Sequence, residues 1–200
     1  MSKNLYERTL AIAKQREVER VSQMEEKFHA IITERCNQLL KDLRPWEKNE
    51  HFLTEFNDFV WGDLYQISRS LGYHIIRANI GGFLISIPNY KKGVKSPAQL
   101  MLSQFNSKFE TRKFKTERLA QDACEYVTSM LEAGTFNSCK CSNGSYDIHV
   151  PMTSSFADIM FGGDDQICMR VYRSEVERLL ASEGLPSPTC YASTWLFNIK

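Results

Sequence analysis

The stretch Leu71-Gly72-Tyr73-His74-Ile75-Ile76-Arg77-Ala78-Asn79-Ile80-Gly81-Gly82-Phe83-Leu84-Ile85-Ser86-Ile87-Pro88 leaves the chain few options. Gly72 stops whatever helix precedes it, two apolar runs follow, and Gly81-Gly82 between them is the chemistry of a tight reversal. With Gly81-Gly82 as a two-residue loop, Ile80 faces Phe83, Ala78 faces Ile85 and Ile76 faces Ile87, so one face of the ribbon is wholly apolar. The other face, Ile75, Arg77 and Asn79 against Leu84, Ser86 and Pro88, is mixed. A slip of one residue would exchange the faces.

The order helix, glycine, hairpin recurs twice. After Gly134, the run Thr135 to Pro151 contains Asn143-Gly144, a strong hairpin signal. That loop sets Cys141 against Tyr146, Cys139 against Ile148 and Lys140 against Asp147. A third copy follows Gly184, with Cys190, Ala192, Trp195, Phe197 and Ile199 as its apolar residues and Ser193-Thr194 as a turn without glycine. Counted from its glycine, Trp195, Phe197 and Ile199 fall where Phe83, Ile85 and Ile87 fall in the first copy.

Helical patterns fill most of the remainder. Residues 2–43 contain no Gly or Pro and stop at Arg44-Pro45, which reads as one long helix. Its apolar stripe is broad in the second half, through Phe28, Ile31, Ile32, Cys36, Leu39, Leu40 and Leu43. In the first half Lys14 to Arg20 is polar nearly all round, so that half projects into solvent or meets a partner helix. Spacings of three and four from Val18 to Ile31 cover barely two heptads before Arg35 and Gln38 break them, so a self-sufficient coiled coil is the lesser reading of this helix. A second helix is predicted over 50–71, capped by Asn49, with Phe52, Phe56, Phe59, Val60, Leu64, Ile67 and Leu71 on one face. Ser96-Pro97 opens a short helix, and Thr116 caps another running to about Ala133. Residues 166–183 fit either one long helix capped by Asp164 or a strand at Ile167, Met169 and Val171 followed by a helix from Ser174; comparison of the copies favours the long helix.

The predicted fold is α+β, a long N-terminal helix with several amphipathic helices and two to three antiparallel hairpins packed on them. Its expected parts are the long, partly projecting helix (1–45), the first helix–hairpin module (46–95), and a helical segment with the other two modules (96–200).

A chain with 42% hydrophobic and 24% charged residues is of ordinary globular composition. No apolar run reaches the length of a membrane span, and Met1-Ser2-Lys3-Asn4 leads into no signal-peptide core, so a cytoplasmic or nuclear protein without membrane contact is expected. The six cysteines then read as reduced core thiols. The net charge of +1 hides a gradient: residues 1–89 carry twelve basic and twelve acidic side chains, 90–118 eight and two, and 119–200 five and ten.

Several short motifs tempt without carrying chemistry. Cys139-x-Cys141 and His149 are zinc-ligand types, yet a two-residue loop puts His149 on the face opposite both thiols. Gly163-Asp164-Asp165 resembles the metal-binding turn of viral RNA polymerases over those three residues alone, and helix capping by Asp164 accounts for it. His29, His51 and His74 have no acid or nucleophile at triad spacing, and neither Gly81-Gly82 nor Gly162-Gly163 has the rest of a phosphate-loop fingerprint. No catalytic residue, metal ligand or cofactor is assigned. The basic segment has more colour: Lys91, Lys92, Lys95, Lys108, Arg112, Lys113, Lys115 and Arg118 interleave with Tyr90, Phe105, Phe109 and Phe114, the mixture that grips a single-stranded nucleic acid.

The order helix, Leu71-Gly72-Tyr73, strand, glycine turn, Phe83-Leu84-Ile85-Ser86-Ile87-Pro88 resembles uncharacterised helix-plus-hairpin proteins of large DNA viruses and phages. The resemblance implies a viral or virus-like source and brings no activity with it. The expectation is a non-enzymatic interaction, assembly or adaptor protein that meets a protein partner, or a second copy of itself, through the N-terminal helix. The alternative is a nucleic-acid binder using residues 91–118.

Overall fold

Three helices end in the same way, and each ending launches a hairpin. Gly72, Gly134 and Gly184 all take the left-handed conformation, with φ of 87°, 68° and 78°. The N–H of each glycine donates to the carbonyl three residues back (Arg69, Leu131, Ala181), and the next N–H donates to the carbonyl five residues back (Ser68, Met130, Leu180). This is the Schellman closure, which satisfies the orphan carbonyls of a last helical turn and turns the chain away from the axis.

A computed structural model describes residues 2–52, 55–78, 81–88, 94–162, 167–191 and 193–199. In chain order the elements are α1 (Ser2–Lys41), β1 (Glu50–Phe52), α2 (Trp61–Leu71), β2 (His74–Arg77), β3 (Phe83–Ser86), α3 (Pro97–Glu132), β4 (Asn137–Lys140), β5 (Tyr146–Pro151), α4 (Ser154–Gly162), α5 (Met169–Ser182), β6 (Thr189–Tyr191) and β7 (Thr194–Ile199). The fold is α+β with two antiparallel sheets, ordered β1-β3-β2 and β4-β5-β7-β6. The chain divides into two compact units, Met1–Leu39 with Pro45–Asn106, and Leu40–Arg44 with Ser107–Lys200.

The first unit is built around aromatic rings. Phe28 of α1 lies 5.1 Å from Phe56 and 5.3 Å from Tyr73, centroid to centroid, and Phe56 lies 5.2 Å from Phe52. Ile32, Leu64, Ile75 and Ile85 complete that core. Glu50, buried in β1, is held by the Arg35 guanidinium, which also covers the Phe52 ring at 5.7 Å. The second unit buries Ala120, Ala123 and Val127 of α3, Tyr172, Val176 and Leu180 of α5, and Ile148, Val150, Trp195 and Phe197 of its sheet.

Several expectations give way. The helix predicted over 50–71 is strand β1, a turn and the shorter α2, because residues 50–52 pair along the free edge of β3, Glu50 opposite Ile85 and Phe52 opposite Phe83. Thr116 caps nothing: α3 runs unbroken through it, and its buried hydroxyl donates to the Arg112 carbonyl at 2.9 Å, the way a threonine is satisfied inside a helix. Ser96 does cap, as half of a capping box in which Ser96 Oγ accepts from Gln99 N–H and Gln99 Oε1 accepts from Ser96 N–H. Helix α5 begins at Met169, later than the long helix predicted; Asp164, its expected cap, and the Gly163-Asp164-Asp165 motif lie outside the described residues.

The first two hairpins are displaced from their predicted registers. Ile75, not Ala78, stands opposite Ile85, a shift of three; Ser138, not Cys139, stands opposite Ile148, a shift of one. Odd shifts exchange faces. Ile76 is accordingly 48% exposed while Ile75 is buried, Cys139 is exposed, and Lys140 meets Tyr146 rather than Asp147. Both loops have three residues: Ala78 N–H donates to Gly82 O and Gly81 N–H to Ala78 O, and Cys141 N–H to Ser145 O and Gly144 N–H to Cys141 O. In each the last loop residue is a left-handed glycine, Gly81 or Gly144. In the third hairpin Cys190 rather than Ala192 opposes Trp195, a shift of two, which keeps the faces, and Trp195 and Phe197 are buried as expected.

Candidate functional site

Helix α1 has two characters. From Val21 on, its apolar side chains enter the first core, whereas every side chain from Leu5 to Arg20 is exposed. Five of these are large and apolar: Leu5, Tyr6, Leu10, Ile12 and Val18, the first two more than 70% exposed. The arm keeps its helical form by local bonds, Thr9 Oγ1 to the Leu5 carbonyl and Gln15 Nε2 to Glu19 Oε1, each 2.9 Å. Among the described residues no side chain from Leu5 to Glu19 hydrogen-bonds beyond α1. Arg20 is the first anchor. It donates to both oxygens of Glu17, one turn back, and to both of Asp63 in the first turn of α2, the shortest contacts being 2.7 Å and 2.8 Å. These hydrogen bonds hold the Glu17 and Asp63 carboxyls below their ordinary range.

Among the described residues, the basic side chains named from the sequence divide between the two units and, on α3, between different sides of the helix. Lys91 and Lys92 lie outside the described residues, and exposed Lys95 belongs to the first unit. On α3, in the second unit, a turn of about 100° per residue brings Lys108, Arg112 and Lys115 into one stripe and puts Lys113 well round the helix. Arg112 is half-buried and donates to the Ile167 carbonyl at 3.3 Å; Lys113 stands 4.0 Å from Glu117. Arg118 is exposed, one turn beyond the 64%-exposed ring of Phe114, while Phe105 is buried and Phe109 half-buried.

The register of the second hairpin reverses one expectation. Cys139 opposes Asp147 and Asn137 opposes His149, so His149 shares its face with both Cys139 and Cys141. Asp147 accepts from Asn198 Nδ2 at 2.7 Å, and this bond first, with one from Cys141, keeps its carboxyl below the usual range. His149 thus stands on the same side as both thiols, not the opposite one expected, although among the described residues no three His, Cys, Asp or Glu side chains stand close enough to hold a metal ion. All six cysteines are free; Cys36, Cys124 and Cys168 are core thiols, Cys141 and Cys190 are half-buried, and Cys139 is exposed.

No helix among the described residues is long and apolar enough to cross a membrane. Compared with known proteins, the chain matches no family, no curated protein and no solved structure. The arm was legible in the sequence from its polar Lys14 to Arg20 stretch. Its attachment through Arg20 and Asp63 was not, since the two residues are far apart in the chain.

Proposed function

We propose that the protein is a non-enzymatic interaction or adaptor component whose N-terminal arm is the docking element. One observation carries this: the run from Leu5 to Arg20 is wholly exposed although it contains Leu5, Tyr6, Leu10, Ile12 and Val18. A helix of this length is marginal in water by itself, and packing of an apolar stripe is what ordinarily stabilises one. A protein partner or a second copy of the chain would supply that packing. Light scattering after size exclusion, on the full chain and on a chain starting at Val18, tests the reading. The full chain should assemble, or retain a partner when used as bait, and the shortened chain should do neither. A full chain that stays monomeric and retains nothing more than the shortened one overturns it.

A second reading, single-stranded nucleic-acid binding, is favoured by the exposed Phe114 ring with Arg118 one turn away; the Lys108, Arg112, Lys115 stripe lies roughly a third of a turn round the same helix. Stacking and backbone contacts need such a combination.

A further inference from the structure

On a helix turning about 100° per residue, Tyr6, Leu10, Ala13 and Glu17 fall in one strip down the arm. It continues the face that, from Val21 on, carries Phe28 and Ile32 into the first core. Within the arm that strip is uncovered: Tyr6 is 71% and Leu10 41% exposed, and Ala13 is exposed too. Glu7 and Lys14 line one edge of the strip, Thr9 and Arg16 the other, with Leu5 and Ile12 farther round on that second side. Glu7 and Lys14 stand two turns, about 10 Å, apart along the axis, beyond the reach of pairing on a single helix. Among the described residues neither forms an ion pair or hydrogen bond.

Taking the arm as the docking element proposed above, we infer that its partner is a second copy of this chain, the two arms lying antiparallel along this strip. Leu10 of each copy then sits on Ala13 of the other, a large side chain over a small one, and Tyr6 comes level with Glu17. In an antiparallel pair like edges face each other. Glu7 of each copy comes beside Lys14 of the other, which makes two ion pairs across the seam, while Thr9 comes beside Arg16. Parallel arms bring unlike edges together, Lys14 beside Thr9 and Arg16 beside Val21, and pair no opposite charges. The charge pattern thus matches the arm to a copy of itself, and in one direction.

Sedimentation equilibrium of the full chain tests this. The chain should dimerise. Glu7→Lys and Lys14→Glu, both at exposed positions, each set like charges at both contacts and should raise the dissociation constant about tenfold without moving the melting temperature. The double variant exchanges the charges and should restore association, as should an equimolar mixture of the two single variants, in which every contact is again between opposite charges. A dimer that is indifferent to the single reversals, or that the exchange does not restore, overturns the antiparallel pairing. So does a monomeric full chain; if that monomer still retains a different protein through residues 1–17, the docking role of the arm stands without self-pairing.

Discussion

Gly72 lies against Ser96: a Cβ at position 72 would fall 2.5 Å from Ser96 Cβ and closer still to its Oγ. The glycine is needed twice over, once for its φ of 87° and once for the space that Ser96 occupies. Gly134 and Gly184 close their helices with the same hydrogen bonds, but a Cβ at either would meet nothing within 4 Å. Gly134→Ala and Gly184→Ala should therefore cost only the left-handed backbone term, roughly 1–2 kcal/mol. Gly72→Ala should cost that and about 1 kcal/mol more, because moving Ser96 breaks the capping box with Gln99. Urea unfolding of the three variants gives the order; equal losses would show that Ser96 yields freely.

The register of the first hairpin makes a second forecast. Ile75→Ala should cost roughly 2–5 kcal/mol, as truncation of a fully packed aliphatic side chain does, and Ile76→Ala roughly 0.5 kcal/mol or less. Denaturant midpoints distinguish them. The reverse order would restore the two-residue Gly81-Gly82 loop.

Why that register was not legible follows from glycine's versatility. Gly81-Gly82 and Asn143-Gly144 announce reversals, and reversals occur there, but a left-handed glycine serves a two-residue loop and the last position of a three-residue loop alike. Period-two patterning could not arbitrate, because Ile75 and Ile76 are equally apolar. The helix stops at Gly72, Gly134 and Gly184 were readable, since their signal is local. Strand β1 was not: the spacing of Phe52, Phe56 and Phe59 imitates a helix, and only the open edge of β3 makes residues 50–52 a strand.

Arg35 and Glu50 give a third prediction. Glu50 is 2% exposed, and Arg35 Nε reaches its Oε1 at 2.9 Å. Arg35→Ala should cost roughly 3–5 kcal/mol by stranding a buried carboxylate, and adding Glu50→Gln should recover part of the loss. Thermal melts of the single and double variants measure the recovery. If none is seen, packing of Arg35 on Phe52 carries the effect instead.

The root of the arm should respond to acid. Arg20 holds both Glu17 and Asp63 below their ordinary values of 4.5 and 3.8, so the pairing contributes at pH above those values and is lost as pH falls through the lowered ones. Carboxyl titration by NMR should show both midpoints below the ordinary range, and both should rise in Arg20→Gln. Unmoved midpoints would mean that the clamp does not persist in solution.

The basic face of α3 yields the last prediction, and geometry now separates its parts. If the second reading holds, a fluorescent oligo-dT should bind at low salt and weaken steeply as salt rises, by about 0.7 log units per log unit of salt for each phosphate contacted. Lys108→Glu should reduce affinity and flatten that slope without regard to sequence. Phe114→Ala should remove one stacking platform, roughly 1–3 kcal/mol, with little effect on the melting temperature, because the ring is 64% exposed. Phe109→Ala should act mainly on stability, its ring being half-buried. Lys113→Glu should matter least on α3, since Lys113 lies away from the stripe and beside Glu117. Anisotropy at two salt concentrations reads all four variants; no binding at low salt retires the nucleic-acid reading, and equal losses for Lys108→Glu and Lys113→Glu would replace the stripe by nonspecific attraction to a basic segment.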